Sequence, residues 1–335
     1  MSATPRSPQR IVRYTGAFGL STLFRPLPKA HQRPVLDVRY APKDGGGPVL
    51  HFSARQALGI PEQTLLLVLL ELAGEQLTRD VSNCRLNGDA QGVVARSLWR
   101  LLYRGGDDMG DTLSVRFETS WYELNQRCGA TTCGRNQQLR RAQLQRLCEV
   151  TVWESEQDGR NTTRQSYLVA WVVGDDARLH LALNFRLAAA LLGEHYVQVS
   201  LTERLALPND LAMAIHAFLA TVVRQGHHLI IGIDSLVDRL WVGSTATARE
   251  GSHRRRRKEV RAAVSSISTL AGWSVEWIRD DLVRVQRGRG VRESTMPRAN
   301  ANETTFFRER PDCSKASQDV ASRAIDVSRL FLTKA

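Results

Sequence analysis

The sequence predicts an α+β protein made of two tandem winged-helix (helix-turn-helix) domains with flexible basic termini. Three observations carry this. The order short helix, turn, longer helix, strand pair occurs twice along the chain. The 335 residues exceed one ordinary domain and suit two. Hydrophobic residues at 42% and charged residues at 24% are globular proportions, which supply a core and exclude global disorder.

Residues 1–34 hold Pro5, Pro8, Pro26, Pro28 and Pro34 among basic and polar residues, and read as a flexible N-terminal arm. The first domain is assigned to 35–192. VLDVRY and VLHFSA alternate on either side of the turn-forming APKDGGGP, which makes a hairpin. PEQTLLLVLLELAGEQ opens at Pro61, ends around Gly74 and is apolar nearly all round, as a central core helix is. QGVVARSLWRLLYRGG places Val94, Leu98, Leu101 and Leu102 on one helical face, and LSVRFETS is a strand. Ser120 caps the short helix SWYELNQRCG, with Glu123 three residues on completing a capping box. After the turn ATTCG comes the longer helix at 135–148, RNQQLRRAQLQRLC. Three strand-like segments follow: EVTVWES, RQSYLVAWVVG and RLHLALNF.

The second domain is assigned to 193–287. YVQVSL is a strand, and PNDLAMAIHAFLATVVRQG is a helix with Leu211, Ile215, Phe218, Leu219 and Val222 on one side. LIIGI is a strand, Asp234 caps the short helix DSLVDRLW, and VGSTATAREGS is a polar turn region. The longer helix spans 253–271. WSVEWIR and DLVRVQRG form a hairpin turning at Asp280–Asp281. Residues 288–335 are polar without a sustained period and read as a mostly disordered tail, in which DVASRAIDVSRLFL is a candidate short amphipathic helix.

Charge narrows the function. Lys and Arg number 46 against 34 Asp and Glu, a formal charge of +12 and a pI near 10.1. An excess of that size points to a polyanionic partner. Nucleic acid fits better than a membrane. The longest apolar run, Leu65 to Leu70, is followed by Glu71 and is too short to span a bilayer, and MSATPRSPQR has no apolar region of a secretory signal. The cysteines (Cys84, Cys128, Cys133, Cys148 and Cys313) are odd in number and include no Cys-x-x-Cys pair. Reduced thiols in a cytoplasmic protein are expected, with no metal and no cofactor.

On the helix 253–271, Val260, Val264, Ile267 and Ala271 fall on one side. The other side carries Arg255, Lys258, Ala262, Ser265, Ser266 and Thr269, with Arg254 and Arg261 flanking. Basic groups near the start of a helix meet phosphates, and small residues along its face let the axis approach base edges. Arg254 and Lys258 are accordingly assigned mainly to phosphates, Ala262 and Ser265 to bases. Arg255, Arg256, Arg257 and Arg261 complete the DNA-binding set on this helix. A bare RRRRK run alone would read as a solvated basic face. Cations at a helix N-terminus also oppose the macrodipole, by a few tenths of a kcal/mol each, which a bound polyanion would offset. The helix 135–148 offers Arg135, Asn136, Gln138 and Arg141, side-chain types that bond adenine and guanine in the major groove. The plainer alternative for it is a polar surface helix. Arg284 and Arg287 in the last strand are further candidate contacts.

No G-x-x-x-x-G-K-[ST] is present, His227–His228 is not a spaced metal-binding pair, and no close acidic cluster suggests a two-metal centre. The residues contain no catalytic constellation, which disfavours a nicking or priming enzyme.

Three stretches carry a family resemblance. They are LFRPLPKAHQRPVLDVRY at 23–40, ARLHLALNFRLAAALLGEHYVQVSLTE at 177–203, and the run from Ile233 through RRRRKEVRAAV to LAGWSVEW at 270–277. In these the chain resembles the RepC-type replication initiators of IncQ-family broad-host-range plasmids, over about residues 22 to 287. It departs at Arg140, where the family carries an apolar residue. The resemblance implies two winged-helix domains without catalytic activity. It implies binding to directly repeated iterons in double-stranded plasmid origin DNA, help in opening the adjacent AT-rich segment, and recruitment of a plasmid-encoded helicase and primase. Self-association is a further expectation. The competing reading is a winged-helix transcriptional repressor acting at a promoter.

Overall fold

The computed structural model describes residues 9–27, 32–42, 47–103, 112–155, 162–175, 177–241 and 250–288. The chain is a mixed α/β structure. Its elements run β1 (Ile11–Thr15), α1 (Gly16–Leu20), β2 (Leu36–Tyr40), β3 (Val49–Ala54), α2 (Ile60–Arg79), α3 (Val81–Cys84), β4 (Arg85–Leu86), α4 (Val93–Leu102), β5 (Ser114–Thr119), α5 (Trp121–Arg127), α6 (Gly134–Cys148), β6 (Thr151–Ser155) and β7 (Thr162–Tyr167). There follow β8 (Val169–Val173), β9 (Leu179–Leu183), α7 (Phe185–Leu192), β10 (Tyr196–Ser200), α8 (Leu201–Leu205), α9 (Asp210–Val222), β11 (His228–Gly232), α10 (Ile233–Leu240), α11 (Glu250–Ile267), β12 (Trp273–Arg279) and β13 (Leu282–Arg287).

Among the described residues the strands form four antiparallel sheets, ordered β1-β10, β11-β13-β12, β2-β3-β6-β7 and β4-β5-β9-β8. In the second half the strand between α9 and α10 pairs with the hairpin that follows α11, Ile230 opposite Arg284. In the first half the hairpin after α6 is instead extended by β3, from before α2, with Phe52 opposite Val152. The strand preceding α5 belongs to the separate sheet β4-β5-β9-β8, on which α4 packs through Ala95, Leu98 and Leu102.

Helix α2 is the central element. Its apolar residues from Leu65 to Leu70 are buried all round, as its composition requires. Its carboxylates then serve as docking points. Glu71 takes Arg10 through two hydrogen bonds of 2.6 and 2.5 Å, and Glu75 takes Arg127 at 2.6 and 2.8 Å. The helix runs through Gly74 to Arg79, because Leu77 still has core to cover.

The arm expected over 1–34 is not an arm where it is described. Tyr14, Phe18 and Leu23 are core residues, and β1 pairs with β10, Val12 opposite Val199. Arg239 of α10 holds this segment by donating to the carbonyls of Gly19, Leu20 and Ser21, at 2.6, 2.8 and 3.1 Å. These are carbonyls at the C-terminal end of α1, where a helix attracts cations. The same guanidinium lies 4.2 Å from the Phe218 ring centroid. One hydrophobic cluster therefore runs from Val12 through α2 to Val285. Arg204 crosses the same region, fully buried, and donates to the neutral oxygens Thr64 Oγ1, Gln63 Oε1 and the carbonyls of Ile60 and Met213, at 2.8–3.3 Å. Burial pushes its pKa down to about 10.

Other expectations shift locally. The segment 164–174 is two strands, broken at buried Leu168 so that β7 and β8 join different sheets. Helix α7 is an addition to the expected elements, although both of its ends are sequence signals: the Asn184 side chain accepts from the Leu187 N–H, and Gly193 at φ 101° ends the helix. Ser120 caps α5 as expected, accepting from the Glu123 N–H, while the Glu123 carboxylate takes the Thr119 hydroxyl. Asp234 does not cap α10. The N-cap is Gly232, because β11 runs into the helix without a gap. The candidate helix within 319–332 and the rest of the tail from 289, like the turn region 242–249, lie outside the described residues. Among the described residues no helix is long and apolar enough to cross a membrane.

Candidate nucleic-acid interface

Two helices occupy equivalent places, each the longer second helix of a pair and each followed by a hairpin. In the first half, α6 buries Leu144 and Leu147 and is fixed to the start of α2 by Glu62. That carboxylate accepts from Gly59 N at 2.8 Å and from Arg146 Nε and Nη2 at 2.9 and 2.7 Å, with Arg33 Nη1 at 3.1 Å. Burial alone would raise its pKa. The Arg33 hydrogen bond and the Arg146 charge overcome this and hold it below the usual carboxylate range.

Of the residues singled out on this helix, Arg135, Gln138 and Arg141 are exposed. The Arg141 guanidinium lies 5.8 Å from the Trp171 ring centroid. Asn136 has a local job. Its amide donates to the carbonyl and the hydroxyl of Thr131 at 2.8 and 2.9 Å, closing the turn between α5 and α6. Arg140 is half-buried and bonds Gln143 Oε1 at 2.5 Å, which places it on the side of the core.

In the second half, α11 buries Val260, Ala263, Val264 and Ile267 against α9 and α10. The helix ends at Ile267, so Ala271 is exposed beyond it and Leu270 fills the inward position. The basic run divides into residues tied to the protein and residues facing out. Arg256 lies over Trp241, 5.3 Å from the ring centroid. Arg257 pairs with Asp234 at 3.4 Å, and His253 reaches the same carboxylate at 3.7 Å. Arg261 lies over Trp277 at 5.7 Å and pairs with Asp280 at 3.9 Å. Arg255 pairs with Glu259 one turn on, at 2.9 Å. Arg254 and Lys258 are exposed and make no ion pair among the described residues.

The two solvent faces share a pattern. On α11, Arg254, Lys258, Ala262 and Ser265 follow one another at helical intervals. On α6, Gly134, Gln138, Ala142 and Gln145 stand at the matching positions. Each face has an alanine at its middle, exposed on α11 and half-buried on α6, with Lys258 and Ser265 beside the one and Gln138 and Gln145 beside the other. Ala142 is not among the residues that the sequence singles out, although the wheel of 135–148 places it, like Gln145, opposite Leu144 and Leu147.

The strand candidates fare differently. Arg284 pairs with Glu276 across the hairpin at 2.8 Å. Arg287 is removed from the interface. It is 8% exposed, lies over Trp273 at 5.3 Å, and donates to the carbonyls of Ala220 and Gln198 at 3.3 and 3.1 Å. Burial lowers its pKa against the opposing charge of Glu203. The hairpin tip carries Asp280 and Asp281, both exposed, so the tip itself would repel phosphates. No cluster of three or more potential metal ligands occurs among the described residues.

The family model described as Replication protein C (RepC) matches residues 11–288. No curated protein matches the sequence. Among solved structures, a selenomethionine derivative of domains 2 and 3 of RctB is similar at 10% identity and TM-score 0.48, covering 81% of this chain and 98% of its own. A second structure of RctB domains 2–3 gives 11% identity and TM-score 0.47, covering 82% and 97%.

Proposed function

Because this chain belongs to the replication protein C (RepC) family, we propose that it is a plasmid replication initiator that binds directly repeated iterons in origin DNA through two winged helices. One is α5–α6 with the β6–β7 hairpin, the other α10–α11 with the β12–β13 hairpin. In this reading α6 and α11 lie in successive major grooves, Arg254, Lys258 and Arg135 meet phosphates, and Gln138, Ala262 and Ser265 face base edges. Arg256, Arg257 and Arg261 act one step back, holding α11 against Trp241, Asp234 and Trp277. Opening of the adjacent AT-rich DNA and recruitment of a helicase and primase belong to the same proposal.

The observation that carries it is the matched solvent face of α6 and α11, small at its centre and polar or basic around it. Salt dependence of binding tests it, with a duplex selected by the protein from a random-sequence pool and a scrambled duplex of equal length. Each phosphate contact contributes about 0.9 to the slope of log K against log salt. Replacing Arg254 and Lys258 together by Ala should lower affinity for both duplexes alike and reduce the slope by about two. A slope unchanged in the double variant, or no salt dependence in the parent, would overturn the assignment.

A further inference from the structure

Leu139 is the one large apolar side chain on α6 that is exposed, at 51%. It belongs neither to the core nor to the half-buried residues packed on it. It stands next to Gln138 and one turn beyond Arg135, in the N-terminal half of the helix, which is the half that approaches base edges when such a helix enters a groove. An isolated exposed leucine is ordinary on a protein surface. This one flanks the face assigned to DNA on the side of Arg135, and on the base edges of the major groove an apolar group has a single natural counterpart. The thymine C5-methyl is the apolar feature of the major-groove edge.

We propose that Leu139 reads a thymine by packing on its methyl group, so that it sets sequence preference while Arg135 supplies affinity. This rests on the DNA-binding reading above. The neighbouring side chains frame the contact. Arg135 is placed to hold the backbone, and Gln138 to bond a base beside the thymine. Leu139 then loses its exposure only in the complex, so the free protein gains nothing from it.

The test is competition binding with a duplex selected by the full chain from a random pool. Each thymine of that duplex is replaced in turn by deoxyuridine, which removes the methyl and leaves base pairing intact. One position per site should lose about fourfold in affinity, the equilibrium effect of removing one buried methyl. The Leu139→Ala variant should bind thymine and uracil equally there, while keeping the parent's sensitivity at every other thymine. Its denaturation midpoint should match the parent's, because Leu139 covers no core. Retention of the full thymine preference by Leu139→Ala would overturn this proposal and leave the DNA-binding reading standing. Absence of any selected duplex would instead refute that reading.

Discussion

Replacing Glu62 by Gln should destabilise the protein by about 3 kcal/mol and make that loss depend on pH. The carboxylate is fully buried, and each oxygen serves two donors: Oε1 both nitrogens of Arg146, Oε2 the Gly59 N–H and Arg33. In the amide one oxygen becomes an NH2 that must face donors. Two hydrogen bonds, at least one of them to a guanidinium, are then lost, each worth about 1.5–3 kcal/mol when a charged group takes part. The side chains of Arg33 and Arg146 keep 27% and 20% exposure, so water recovers part of this. The result stays near the low end of the roughly 3–5 kcal/mol seen when one member of a buried pair is removed. The folded-state pKa of Glu62 lies below its unfolded value, so the unfolded chain binds the extra proton as acid is added. The stabilisation is therefore complete above the unfolded value of about 4.3 and disappears as pH falls through the folded one. Urea unfolding at pH 7 and at successively lower pH measures this. A variant as stable as the parent at neutral pH would refute the role given to Glu62. So would a difference that fails to shrink in acid.

Two further outcomes are expected. Arg287→Ala should lower stability by about 2 kcal/mol, since it leaves the carbonyls of Ala220 and Gln198 without their buried donors, and should leave the salt slope of DNA binding unchanged. A reduced slope with unaltered stability would return Arg287 to the interface. His216 is buried, with Nε2 2.9 Å from Glu203, and burial lowers its pKa against the pull of that carboxylate. Its neutral form is favoured by folding, so this contribution is present above about pH 6.5 and fades as pH falls towards the folded value. In His216→Gln the dependence of unfolding free energy on pH below 6.5 should flatten, and an unchanged profile would exclude His216 as its source.

The inward stripe of Val260, Val264 and Ile267, the Ser120 cap and the two hairpins were legible because each depends on neighbours within a turn or two. The packing of β1 was not. Five residues, IVRYT, are too short to display a period, the prolines around them suggest an arm, and the partner strand is remote in sequence. Asp234 has the residue type and place of a cap, yet the preceding strand leaves no gap, so its carboxylate turns to Arg257 and His253. Within the arginine run composition is uniform. What separates Arg256 and Arg261 from Arg254 is two tryptophans on other elements. Arg287 was within reach of the sequence: Val283, Val285 and Arg287 share one face of β13 by strand alternation, and that face is buried.

The pairing of the first strand with β10 also sets a timetable for synthesis. Arg10 bonds Thr202, 192 residues further along. At roughly 5–20 residues per second on the ribosome, IVRYT waits about 10–40 s for its partner to emerge. Through that interval its edge is open, and a β10 from another nascent chain can take the place of its own. Slowed elongation through the first 200 codons should therefore raise the yield of intertwined or aggregated product more than the same delay imposed later in the message.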